Sequence, residues 1–465
     1  MLFSENPYTG AINAKIEEDS IDTLDKKLDD ARRAFEEWRS LPVKERATFM
    51  LKLASVLEDH KEECARLITE EMGKVIRESR AEAEKCIWLC KHFAGQSEDY
   101  LACEIIKLMD AEGVIQHEPL GVILGIMPWN FPFWQSLRFA VPALMAGNVI
   151  VLKHSSIVPR CLLKLEELFE LACFPDKVFQ GLMISAQDVD HIINDNRIQG
   201  VSITGSVGAG KKVGEAAGKN VKKIVMELGG SDPSIVLEDA DLQKAALNGV
   251  KSRMTNNGQS CIAAKRFILV ESVATRFLQL FRKGMEKLVF GDPFDESTDY
   301  ASLANEEQRV KLEKQVHESV DQGAVIYWQD KKAPGEKAFF NPMILTGIRP
   351  GMIAYHEELF GPVASIFIVR DAFEAIHVAN DTSFGLGASI WTKDTERGKK
   401  LAGDIKAGMV FINEQVFSHP ELPFGGMKES GTGRELSKAG IKEFTNQKMI
   451  YLPYTHVITR HKKRA

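Results

Sequence analysis

Four short segments carry residue types able to handle a carbonyl group. Cys261 ends the run Asn257-Gly258-Gln259-Ser260-Cys261, loop-like residues placed before an apolar strand. A thiolate is a soft nucleophile, yet most cysteines are small core hydrophobes, and alone Cys261 reads as readily as a buried thiol. Glu227, in Met226-Glu227-Leu228-Gly229-Gly230, leaves a strand just before two glycines. By itself it is a solvated or capping carboxylate; beside a nucleophile it becomes a candidate general base. In Met127-Pro128-Trp129-Asn130-Phe131-Pro132-Phe133, two prolines and an asparagine interrupt an apolar run after a strand. There the Asn130 amide offers an N–H to the oxyanion that develops when a nucleophile attacks a carbonyl. Ile203-Thr204-Gly205-Ser206-Val207-Gly208-Ala209-Gly210 runs from a strand end into a helix expected to begin near Lys211. Glycines allow close approach of a phosphate, and a helix N-terminus presents unpaired N–H groups, so a dinucleotide fits here. The spacing is not G-x-G-x-x-G, and a plain strand-to-helix turn fits as well.

The surrounding pattern has to position these segments. Leu24, Leu28, Ala31, Phe35 and Trp38 recur at helical spacing within residues 21–39, and residues 44–60, 61–73 and 77–101 continue in the same manner. The first hundred residues are therefore expected to be mostly helical. After residue 115 short β-rich apolar runs appear at 121–127, 149–152, 201–203 and 224–226, separated by stretches of helical length. A second set follows at 267–270, 363–369, 388–391 and 409–412. Strands alternating with helices predict parallel sheets covered on both faces, hence an α/β protein of two closely packed domains. Residues 102–119 and the tail after Phe444 read as extended and are expected to pair with each other.

Composition narrows the function classes. With 465 residues, 44% hydrophobic and 27% charged, the chain is long enough for two or three domains. The net charge of −6 gives no footprint for nucleic acid, and the basic cluster Arg460, Lys462, Lys463 and Arg464 reads as a solvated end. MLFSENPYTG lacks a basic and an apolar leader region, and no run is apolar enough for a membrane span, so a cytoplasmic protein without membrane contact is expected. Seven cysteines without a C-x-x-C pair resemble neither a disulfide framework nor a metal site, and no metal is expected. Cys86 and Cys90, four apart on a helix, read as buried thiols.

Taken together, PWNFP, VLK, TGSVGAG, MELGG, NNGQSC, EELFGPV and PFGGMKESGTGRE resemble the aldehyde dehydrogenase superfamily in order and approximate spacing, from NPYTG near residue 6 to about residue 452. That resemblance implies a Rossmann-like cofactor domain over 1–101 and 119–228, a second α/β catalytic domain over 229–431, and a small β oligomerisation element from 102–118 and 444–458. It implies that Cys261 attacks an aldehyde to give a thiohemiacetal, with the oxyanion held by Asn130 and the Cys261 N–H. Hydride then leaves to NAD or NADP, and Glu227 activates the water that hydrolyses the thioester. Trp129, Lys153, Ser155, Ser156, Gly205, Ser206, Gly210, Leu228, Glu358 and Phe360 are the implied cofactor contacts. A homodimer or homotetramer is implied as well. A thiol activated for this role should alkylate faster than the other six.

Two departures shape the finer expectation. NAD-preferring relatives carry a glutamate three residues after the ribose lysine; here Lys153 is followed by His154, Ser155 and Ser156, so NADP should be tolerated. Arg138, eight residues after Asn130, matches the arginine that succinate-semialdehyde dehydrogenases present to a distal carboxylate, unless it pairs with a nearby acid. Phe133 and Arg253 complete the expected substrate contacts. Thr255 stands where many of those enzymes have a second arginine, and Arg253, two residues earlier, lies roughly 200° away around a helix. Glutarate semialdehyde and aliphatic aldehydes remain alternative substrates. Retention of Glu227 argues against a CoA-acylating relative, and Cys261, Glu227 and Asn130 together argue against a non-catalytic binding protein.

Overall fold

The computed structural model describes residues 1–454; the basic cluster at 460–464 and the end of the expected 444–458 strand lie outside the described residues. The chain opens on an antiparallel hairpin, β1 (Leu2–Glu5) and β2 (Ile12–Ile16), which helical periodicity does not anticipate. Four helices follow, Ile21–Ser40, Val43–Asp59, Lys61–Met72 and Ile76–Tyr100. The first buries Leu24, Leu28, Ala31, Phe35 and Trp38, the stripe its spacing predicts, and Ser20 caps it by accepting from the Thr23 N–H at 3.2 Å. Cys86 and Cys90 are buried in the fourth helix.

Next come β3 (Glu104–Lys107) and β4 (Ala111–Pro119), then a first sheet built from β5 (Val122–Met127), β6 (Val149–His154), β7 (Phe179–Gly181), β8 (Ile198–Thr204) and β9 (Lys223–Glu227). A second sheet contains β10 (Pro233–Val236), β11 (Arg266–Val270), β12 (Val325–Gln329), β13 (Met343–Thr346), β14 (Val363–Val369), β15 (Gly387–Trp391) and β16 (Met409–Ile412). The chain then returns to the first sheet as β17 (Gly431–Thr432) and ends in β18 (Thr445–Pro453). β18 pairs antiparallel with β4 from Thr445↔Pro119 to Pro453↔Ala111, the partnership expected of those two extended segments.

The first sheet runs in the order β17-β9-β8-β5-β6-β7, parallel except for β17. Strand order reverses at β5, which opens a crevice between the carboxyl ends of β5 and β8. Trp129 and Asn130 leave β5 there, Gly205 and Ser206 leave β8, and Leu228 and Gly229 leave β9. The second sheet runs β12-β13-β14-β11-β10-β15-β16 and is parallel except for β12.

Two local devices set the crevice. The helix expected near Lys211 starts earlier, at Val207, because Ser206 caps it by accepting from the Ala209 N–H at 3.3 Å. It lies close to β9 because a Cβ at Gly210 would come within 2.5 Å of the Leu228 side chain. On the other side, Pro132 opens the helix Pro132–Met145 at a position where its missing N–H costs nothing. The Glu82 carboxylate of the Ile76–Tyr100 helix accepts the Phe133 N–H at 2.9 Å and the Trp134 N–H at 3.0 Å, and its other oxygen pairs with buried Lys74. One carboxylate thus fastens both helices together at the floor of the site. Among the described residues no helix is long and apolar enough to cross a membrane, and no group of three or more His, Cys, Asp or Glu could hold a metal ion.

Candidate active site

Cys261 follows a turn held in an unusual shape. Asn256 and Asn257 both have φ of 52°, the left-handed region that asparagine tolerates better than most residues. Their side chains hold the turn in place. Asn256 Nδ2 donates to the Asn130 carbonyl at 2.7 Å, and Asn257 Nδ2 donates to the Ser302 carbonyl at 2.8 Å. Glu78 accepts the Asn256 N–H at 2.7 Å, while Gln259 Oε1 accepts the Ala304 N–H at 2.9 Å. Asn130 Nδ2 in turn donates to the Gln259 carbonyl at 3.0 Å. An amide nitrogen carries two hydrogens, so one remains for a second acceptor.

Cys261 lies where two cavities meet. One, of about 270 Å³, is lined by Cys261, Ser260, Thr255, Lys85, Trp134 and Arg138 among others. The other is a groove of about 710 Å³ along Trp129, Asn130, Gly205, Ser206, Leu228 and Glu358, with Phe360 set edge-on to Trp129 at 5.8 Å. Only Cys261 and Gln135 line both cavities. The groove suits an anionic dinucleotide: a capped helix N-terminus faces it, and nothing lies within 4 Å of a Cβ built on Gly208. Lys153, buried at the carboxyl end of β6, forms no ion pair among the described residues. Ser155 and exposed Ser156 follow it, positioned by His154, whose Nε2 donates to the Pro132 carbonyl at 2.9 Å while Nδ1 accepts the Ser155 N–H at 2.8 Å. Burial draws that imidazole down to about 4, which keeps it neutral.

Glu227, the last residue of β9, is buried with both carboxylate oxygens lacking a hydrogen-bond partner among the described residues. Gly425 makes room for it: a Cβ there would come within 2.6 Å of Glu227 Oε1. Burial first, then the nearby Glu435 carboxylate, raises Glu227 well above the ordinary carboxylate range. Glu435 is itself in contact with the Arg138 guanidinium, which also lies 4.3 Å from the Phe424 ring centre. Burial pushes the Cys261 thiol up to about 12, against the smaller opposing pull of Arg138 and Lys265. Desolvation of the thiolate thus opposes the activation that its cationic neighbours favour.

Several expectations need correction. Phe133 does not line the small cavity; Phe131, Trp134, Gln135 and Arg138 do, at helical spacing, and Phe133 falls off that face. Arg253 lines neither cavity: it is buried, with Nη2 donating to the Gly258 carbonyl at 2.6 Å, and it braces the turn. Gly210 serves helix packing, outside the groove lining, and Lys153, Ser155 and Ser156 at the end of β6 likewise fall outside it. Arg138 does reach the small cavity, but with its charge matched by Glu435. No sequence pattern marks Lys265, whose Nζ donates to the carbonyls of Ser260 and Cys261, each at 2.8 Å, and pairs with Glu358 at 3.1 Å. Glu435 does stand in the GTGRE segment, where its chemical type alone does not distinguish it from a surface acid. Because burial raises the Cys261 thiol, its alkylation by iodoacetamide should still be gaining about tenfold per pH unit between pH 9 and 10. An ordinary thiol near 8.5 levels off there. A rate that flattens below pH 9 would show that Arg138 and Lys265 prevail over burial.

A family profile described as the aldehyde dehydrogenase family matches residues 2–450. A Synechocystis protein named as a probable NADP+ succinate-semialdehyde dehydrogenase is 45% identical over 447 residues, 96% of this chain and 98% of that protein. An aldehyde dehydrogenase of Paenarthrobacter nicotinovorans is 43% identical over 450 residues, again 96% and 98% of the two chains. Among solved structures, succinic semialdehyde dehydrogenase from Streptococcus pyogenes in complex with NADP+ superposes with a TM-score of 0.95 at 34% identity, covering 98% of this chain and all of that one. The chain belongs to the aldehyde dehydrogenase family.

Proposed function

We propose that the protein oxidises a short aldehyde carrying a distal carboxylate, succinate semialdehyde foremost, to the acid, with NADP+ or NAD+ as hydride acceptor. The observation that carries this reading is the position of Cys261 at the junction of a small cavity and a larger groove suited to a dinucleotide. The names of the similar proteins point to the same substrate.

In this reading the Cys261 thiol gives up its proton to solvent water, its sulfur forms a bond to the aldehyde carbon, and the carbon–oxygen π pair moves onto oxygen to give an oxyanion. The free N–H of Asn130 Nδ2 and the Cys261 backbone N–H hold that charge. When bound, the nicotinamide supplies an acceptor for the hydride that leaves the same carbon as the thioester forms. Glu227 takes a proton from water, the oxygen of that water attacks the thioester carbon, and the carbon–sulfur bond breaks to release the acid. The raised affinity of Glu227 for a proton makes it a stronger base once ionised. Lys265, through the Cys261 carbonyl and Glu358, ties the nucleophile to the groove wall.

Cofactor choice follows from the end of β6. Ser156 carries no charge to repel a 2′-phosphate, and Lys153 nearby is an unmatched cation. We also propose a homodimer or homotetramer, in which a second copy covers the exposed Ile105, Ile106, Met449, Tyr451 and Leu452 of β3 and β18. Seven free thiols suit a reducing compartment such as the cytoplasm.

Glu227→Gln should release one equivalent of reduced cofactor in a burst, followed by a steady rate lowered about 10²–10⁴-fold. Complete loss of the burst would move Glu227 ahead of hydride transfer, and an unchanged steady rate would remove it from the mechanism. Ser156→Glu should lower kcat/KM with NADP+ by about 10²-fold while leaving NAD+ within about 3-fold; parallel losses would place the 2′-phosphate elsewhere. Light scattering should give two or four times the chain mass, and a monomer would dismiss the proposed covering of β3 and β18.

A further inference from the structure

The small cavity is walled by matching stripes of two helices. Glu78, Ala81, Glu82 and Lys85 face it from the helix Ile76–Tyr100, and Phe131, Trp134, Gln135 and Arg138 face it from the helix Pro132–Met145 and its N-cap, both at the i, i+3, i+4, i+7 recurrence of one helical face. Its charges are mostly spoken for. Glu82 pairs with Lys74 and caps the second helix; Arg138 pairs with Glu435. Burial raises Glu78 toward its neutral form, and its Oε2 accepts the Asn256 N–H. Lys251 also lines the cavity but is exposed, so solvent screens it.

Lys85 is different. Its half-buried ammonium donates to Ser418 Oγ at 2.6 Å and lies 4.3 Å from the Trp134 ring centre, and among the described residues it forms no ion pair. Ser418 and Trp134 line the same cavity. A hydroxyl and a ring face satisfy one N–H and part of the charge, leaving the remaining N–H groups for an anion.

We propose that Lys85, positioned by Ser418 and Trp134, is the group that receives the distal carboxylate of the substrate, in the place the sequence assigns to Arg138. The proposal rests on the carboxylated-aldehyde reading of the site. The Arg138 guanidinium is already engaged by Glu435, although burial raises that carboxyl's affinity for a proton, whereas Lys85 has no carboxylate in ion-pair contact among the described residues. Burial and the repulsion of Arg138 draw Lys85 down to about 8, so a bound carboxylate would also restore its proton.

The test measures kcat/KM for succinate semialdehyde and for butanal, of equal carbon count but uncharged, in wild type, Lys85→Met, Lys85→Arg and Arg138→Gln. Wild type should favour the charged aldehyde. Lys85→Met should lower its kcat/KM about 30–100-fold, chiefly through KM, while butanal changes by no more than about 3-fold. Lys85→Arg should recover most of the loss, and Arg138→Gln should reduce both substrates together, since it leaves Glu435 uncompensated beside Glu227. A wild-type preference that survives Lys85→Met overturns the role of Lys85 and leaves the substrate class standing. Equal losses for both aldehydes in Lys85→Met, or a selective loss in Arg138→Gln, likewise overturn it. A wild type without preference overturns the substrate class and the Lys85 proposal with it.

Discussion

The exchange of hydrogen bonds between Asn130 and the 256–259 turn holds the two halves of the site in register. Asn130 gives its amide to the Gln259 carbonyl, and Asn256 gives its own to the Asn130 carbonyl. One partner leaves the carboxyl end of β5 in the first sheet; the other leads into β11 in the second. The turn needs two non-glycine residues at positive φ, a strain of order 1–3 kcal/mol each. Asn257, Gln259 and Arg253 offset that strain with bonds to Ser302, Ala304 and Gly258. The outcome is a sulfur fixed at the meeting of two cavities, and displacement of a reacting atom by about 1 Å is enough to cost about 10²-fold in rate.

Around that fixed point, charge is arranged so that most of it cancels. Lys74 meets Glu82, Arg138 meets Glu435, and Lys265 meets Glu358. Buried pairs of this kind contribute little net stability, but removing one partner strands the other at a cost of about 3–5 kcal/mol. They therefore fix positions more than they strengthen the fold. Among the buried side-chain atoms without a hydrogen-bond partner in the described residues, both oxygens of Glu227 and the side-chain amide oxygens of Gln135 and Gln415 lie at the site. An unpaired buried polar atom costs about 1–3 kcal/mol, a penalty that persists in native proteins mainly where the group has work to do.

Much of this was legible in the residues. Long periodic helices and the longer β-rich runs are recovered nearly to their ends, because apolar spacing reports burial of one face directly. β7, with three residues, is too short to show a period, β10 opens on a proline, and β12, at the sheet edge beside β13, is largely exposed, so none stands out as an apolar run. The hairpin at Leu2–Ile16 escapes because its second strand is largely exposed and so lacks alternation. The site segments are legible as a set: Asn130, Glu227 and Cys261 all stand at strand ends or in the turn between sheets, where backbone groups are free to meet a ligand. Their states of ionisation are not legible, since the burial of Glu227 and the partial enclosure of Cys261 are set by neighbours far away in sequence.

The failures among the substrate residues have one physical origin. Residue type tells what a side chain can do, while the face it occupies and the charge beside it decide whether it does so. Phe133 is the right type one position away from the cavity-facing stripe. Arg253 is the right type, with its fork already bonded to a turn carbonyl. Arg138 is the right type on the right face, yet Glu435, nearly three hundred residues later, engages its guanidinium. Lys85 inverts the case. Glu78, Ala81, Glu82 and Lys85 look in the sequence like the solvated face of an amphipathic helix, since polar stripes ordinarily face water. The packing of the Pro132–Met145 helix, held by Glu82 itself, sets that stripe against a cavity and makes Lys85 a half-buried cation with no ion pair among the described residues.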